Sequence, residues 1–125
     1  MDKSAAIAEL NRRGATPLLT SQNTRFANVS VSKAVWGLDL PLHYVFNHAE
    51  GAVNLVLAGS QNEELFHLRV PKAWLMENIE EFAVRADKSI ISLELSCDRH
   101  NLFQDVRPTS RGLHFGQFRV AEQEN

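Results

Sequence analysis

The densest set of chemically capable side chains lies between Asp98 and Gly112, where fifteen residues without clear periodicity hold three arginines, a histidine and two aspartates. A histidine titrates near neutral pH, so His100 is a candidate general acid or base, with Asp105 or Asp98 as the carboxylate that would orient it. Arg99, Arg107 and Arg111 are candidate anion holders, because a guanidinium offers paired N–H donors to a phosphate or carboxylate. Connections of this length in compact domains often carry function. A plainer reading has Leu102, Phe103 and Val106 tucked beneath a sheet while the charges face water. It is the favoured one, since nothing in the sequence fixes these side chains in mutual geometry.

The remaining candidates carry less. His43 and His48 fall on opposite faces of an extended segment, His67 alternates with the apolar face of its strand and is expected to face solvent, and no spacing matches a helical His pair or a His/Cys zinc set. Neither a metal nor a cofactor is expected. Cys97 closes an alternating run in phase with Ile91, Leu93 and Leu95, where a lone cysteine acts as a small hydrophobe. The chain has no Gly-x-Ser-x-Gly elbow and no Gly-rich phosphate loop. Arg111, His114, Phe118 and Arg119 could form an edge surface on which bases or a planar ligand stack. The stretch Arg111–Phe118 is similar to an RRM stacking strand only at its Arg-Gly start and two phenylalanines, and the chain is not read as a member of that family. Trp36 and Trp74 each need a partner for the indole N–H, which makes them candidates for a pocket mouth or interface.

These residues must be positioned by a mixed set of elements. Between Glu64 and Ala83 the hydrophobic period changes: Phe66, Leu68 and Val70 alternate as a strand does, Pro71 intervenes, and Trp74, Leu75, Ile79, Phe82 and Ala83 recur at helical spacing. Lys3–Arg13 reads as a short helix capped by Asp2 or Ser4, with a mostly alanine face suited to the rim of the core. Strands are expected at Phe26–Trp36, Leu42–Asn47, Val53–Ala58, Leu65–Val70, Ile91–Leu95 and Leu113–Val120, with a turn at Gly37–Pro41 and a β-bulge at Gly116. No internal repeat, low-complexity tract or linker is apparent. Residues 1–125 are therefore expected to form one domain of the α+β class. Its sheet would be antiparallel with five to six strands, with one amphipathic helix, Lys72–Ala83, on one face and the short N-terminal helix at the edge. One helix cannot cover so wide a sheet, which implies strong curling or a partner over the second face, and a homodimer is preferred.

Composition narrows the function classes. A net charge of −2 and a pI near 6.2 provide no global field toward nucleic acid or an anionic membrane. One cysteine, no apolar span of membrane length and no signal-like N-terminus point to a reducing, cytoplasmic setting. The leading expectation is a non-catalytic binding module for a small apolar ligand or a protein partner. An enzyme acting on a phosphorylated or anionic substrate through the Asp98–Gly112 loop is the runner-up, and nucleic-acid binding through Arg99–Arg119 is the third reading.

Overall fold

The computed structural model of the chain describes residues 1–16, 18–46, 51–61, 64–107 and 112–120. Helix α1 spans Lys3–Arg12, and strands β1 (Thr24–Ser30) and β2 (Val35–Pro41) form a hairpin that leads into helix α2 (Leu42–Phe46). A second hairpin, β3 (Ala52–Ala58) and β4 (Leu65–Pro71), leads into helix α3 (Lys72–Glu77) and a 3₁₀ turn at Ile79–Glu81. Strands β5 (Ala83–Arg85) and β6 (Ile90–Ser96) follow, and a last 3₁₀ turn occupies Gly116–Phe118. The class is α+β, with six strands in the order β4-β3-β1-β2-β6-β5.

The sheet is mixed rather than antiparallel. Both hairpins are antiparallel, but β3 docks beside β1 in parallel, with Phe26 opposite Val56 and Ala27 opposite Leu57. A parallel neighbour needs a crossover connection, and α2 sits in it, where the alternation of Leu42–Asn47 had suggested a strand. Leu42 and Val45 lie three apart on one helical face and pack into the core, so burial decided the local period. The proposed turn at Gly37–Pro41 is instead the body of β2, paired residue for residue with β6.

The two halves also repeat. Val35–Pro41 and Leu65–Pro71 each run seven residues into a terminal proline and then a helix. The match extends to Trp36 with Phe66, Leu38 with Leu68, Pro41 with Pro71, Tyr44 with Trp74 and Val45 with Leu75. A shared offset of thirty positions was hidden by the conservative changes at three of these five pairs. Because β2 and β4 run in the same direction, α2 and α3 arrive side by side at one end of the sheet.

Cover comes from several elements, not from a single amphipathic helix. One face carries Trp36, Leu38, Leu40, Val53, Leu55, Leu57, Leu68, Val70, Ile91, Leu93 and Leu95, all buried against Val45, Leu75, Phe82, Phe103 and Phe115. The second face is divided. Over β1, β3 and β4 it is apolar (Phe26, Val56, Ala58, Leu65) and takes Ala6 and Leu10 of α1, so that helix covers a face instead of lying at the edge. Over β2 and β6 it is polar, with Gly37, Asp39, Ser92 and Glu94 on cross-strand neighbours. The motive for a dimer, an uncovered apolar face, is thereby reduced.

The C-terminal segment curls the sheet. Bridges join Leu95 to Asp105, Gln104 to His114, and Arg119 to Leu68 on β4 at the far edge. On a flat sheet the paths of His114 and Arg119 would lie about seven strand spacings apart, roughly 33 Å. Five residues of extended chain reach only about 17 Å. The sheet must therefore bend until the segment straps one edge to the other. Residues 113–120 are accordingly two bridges joined by a 3₁₀ turn, and the expected bulged strand is not formed.

Candidate functional site

At the end of the sheet opposite α2 and α3, five strand ends meet around an open cleft of about 330 Å³. Val29 lies near the end of β1 and Trp36 near the start of β2; Phe66 lies near the start of β4, and Cys97 follows β6. Gly59, Ser60, Gln61 and Glu64 come from the β3–β4 turn, and Arg99 and Leu102 from the segment after β6. The floor is apolar and aromatic while the lip is polar, the usual division in ligand pockets.

The floor is rigid. The Trp36 ring stacks on Phe103 with centroids 5.6 Å apart, and both meet Phe66 edge to face at 5.6 and 5.3 Å. Its indole Nε1–H donates to the Ala58 carbonyl oxygen at 3.0 Å, which supplies the polar partner a buried tryptophan requires. On the outside, the Arg119 guanidinium lies over Phe66 (5.1 Å) and Phe103 (5.9 Å), closing the cluster with cation–π contacts.

Lip geometry follows from backbone needs. The Gly59 N–H donates to the Glu64 carbonyl at 2.9 Å, closing the turn. The Glu64 side chain folds back so closely that a Cβ on Gly59 would stand 1.7 Å from Oε1. Across the cleft, the Cys97 N–H donates to the Ala34 carbonyl at 2.9 Å, and the thiol is half-buried among the lining residues. A smaller polar hollow of about 170 Å³ lies on the far side of the same turn, against Met1 and Asn28.

The candidate residues read from the sequence separate into three groups. Trp36 and Arg99 line the cleft. His100 and Asp105 are not brought together: His100 is exposed with its backbone N–H on Asp98 Oδ1 at 2.9 Å, whereas Asp105 is buried. Asp105 Oδ1 accepts from the N–H groups of Glu94 and Arg107, both at 3.2 Å, which is the work of a residue organising backbone. Arg107 pairs with Glu94 at 3.0 Å, His114 is exposed on the strap, and Arg111 lies outside the described residues, as does His48. Trp74 belongs to a second aromatic cluster with Phe82, Phe115 and Phe118, far from the cleft's floor in its contacts.

His67 departs from its expected solvent-facing position. It is buried on the second face, with Nε2 and Asn54 Oδ1 2.9 Å apart, and Asn54 in turn donates to the Asn23 carbonyl at 3.1 Å. Burial, and then the neighbouring Arg69 charge, lower its pKa below 6.5. Among the described residues no group of three or more His, Cys, Asp or Glu side chains is placed to hold a metal ion. No helix among them is long and apolar enough to cross a membrane. The cleft itself was not legible in the sequence, since its walls come from five separate strand ends; only Trp36 and Arg99 were singled out in advance.

Comparison with known proteins finds no family model, no curated protein and no solved structure that the chain matches.

Proposed function

We propose that this chain is a non-catalytic binding module whose small ligand enters the cleft at the open end of the curled sheet. The observation that carries this reading is the combination of an aromatic floor (Trp36, Phe66) with a polar lip in a hollow of about 330 Å³. That volume falls at the low end of the ~300–1,000 Å³ range of ligand pockets, so it suits one ring system with short substituents. Against the enzyme reading stands the separation of exposed His100 from buried Asp105. Against the nucleic-acid reading, Arg107 is engaged by Glu94 and Arg119 by two phenylalanine rings. A reducing, cytoplasmic setting agrees with the single half-buried thiol, Cys97, in the cleft wall.

A fragment screen by ¹H–¹⁵N NMR tests the reading. Small aromatic compounds are expected to shift the Trp36 indole resonance and the amides of Ser60, Gln61 and Leu102, and Ser60→Trp, which fills the mouth from an exposed turn, should abolish those shifts. Binding elsewhere, or none across the set, would overturn it.

A further inference from the structure

We propose that the occupant of the cleft is a small zwitterion, a flat apolar body carrying both an ammonium and a carboxylate, as a free aromatic amino acid does. This rests on the cleft being the ligand site and adds its chemical class. Two lining residues bear opposite charge, Glu64 on the β3–β4 turn and Arg99 after β6. Neither forms an ion pair with the other or with any described residue, although both border one hollow. Opposite charges on one lip that do not close on each other leave each free to meet a complementary ligand group. Both side chains are exposed at the mouth, where each can make a charge-assisted hydrogen bond to an entering ligand.

The position of Glu64 is built in rather than incidental. Its carboxylate lies against the Gly59 backbone, in space that any side chain at that position would occupy. Arg99 can take a carboxylate with two N–H donors, and Glu64 an ammonium, while the ring rests against Phe66 and Leu102. A ligand with one charge would meet one side of the lip and forgo the second charge-assisted contact.

The test is an NMR titration of the labelled full chain at neutral pH with phenylalanine and tryptophan, and with fragments of each. Phenethylamine and tryptamine lack the carboxylate, 3-phenylpropionate and indole-3-propionate lack the amine, and indole lacks both. The amino acids are expected to bind about tenfold or more tightly than either one-charge fragment, the gain of one charge-assisted contact. Arg99→Ala should reduce them to the affinity of the amines, and Glu64→Gln to that of the acids. Gly59→Ala should act like Glu64→Gln, because it displaces the carboxylate without removing it, and an unchanged thermal midpoint would show that the fold persists. If a one-charge fragment or indole binds as tightly as the amino acids at the cleft resonances, the zwitterion class is wrong and the cleft remains an apolar ligand site. If no compound shifts those resonances, both this inference and the binding reading fail.

Discussion

Phe103 shows how a single residue can serve two opposed demands. Its N–H donates to the Ser96 carbonyl at 2.8 Å while the Ser96 N–H donates to Gln104 at 2.9 Å, so two residues oppose one and a bulge results. The bulge holds Phe103 at φ +66°, a left-handed conformation costing about 1–2 kcal/mol and normally given to glycine. The ring is nevertheless buried between Trp36 and Phe66, and that packing outweighs the strain. Phe103→Ala should cost about 3–5 kcal/mol in urea unfolding. Phe103→Gly should be the more stable of the two by roughly 1 kcal/mol, a reversal of the usual order, since only glycine relaxes the backbone there. Ala34, at φ +55°, has no such ring, and Ala34→Gly should stabilise by about 1 kcal/mol. His67 yields a pH dependence. Its pKa is depressed in the folded state, so its contribution is present in full above 6.5 and is lost as pH falls from there through the folded value. Urea midpoints should therefore decline between pH 7 and 5, and His67→Gln, which keeps an amide for Asn54, should flatten that decline.

Among the elements, β2 carries a glycine where none is needed. Gly37 pairs with Glu94, has no left-handed φ, and a Cβ there would meet nothing within 4 Å. Gly37→Val should thus raise stability by about 0.5–1 kcal/mol, through reduced unfolded-state entropy and better strand propensity. A thermal shift of the opposite sign would show that something approaches this backbone closely. Helix α1 depends on its cap: Asp2 accepts from the Ala5 N–H at 2.8 Å, and Glu9 is held by Arg12 and Arg13 with its pKa lowered to about 2. Asp2→Ala should cost about 1 kcal/mol and loosen the cover over Val56 and Ala58.

For the whole molecule the strap is the deciding feature. The C-terminal segment leaves β6, inserts Phe103 and Phe115 into the core and reaches β4, where the Val120 N–H donates to the His67 carbonyl at 2.8 Å. Phe115 is fully buried and meets Trp74 edge to face at 5.1 Å. Phe115→Ala should cost about 3–5 kcal/mol, and the half-buried Trp74 should emit at longer wavelength as its packing loosens. Curling by the strap also gathers the strand ends that make the cleft, so the same segment that completes the core supplies Arg99 and Leu102 to the site.

Local periods and capping groups specified the class, the strands at Val53–Ala58, Leu65–Val70 and Ile91–Leu95, and a helix at each of Lys3 and Lys72; which of Asp2 and Ser4 caps the first, and that the second ends at Glu77 rather than Ala83, depended on the folded chain. It did not disclose that β3 pairs with β1, that Leu42–Phe46 is helical, or that His67 is buried, since these depend on which surfaces meet. The thirty-residue repeat was written in the chain yet masked by exchanges such as Tyr44 for Trp74, and equal element lengths exposed it. Of the candidate site, the reading that tucks Leu102, Phe103 and Val106 beneath the sheet holds for Phe103 and in part for Leu102, while Val106 is exposed; His100 is exposed and Asp105 buried, and that placement depends on tertiary packing. The cleft follows from long-range packing alone, because it exists where five strand ends distant in sequence are drawn together by closure of the sheet.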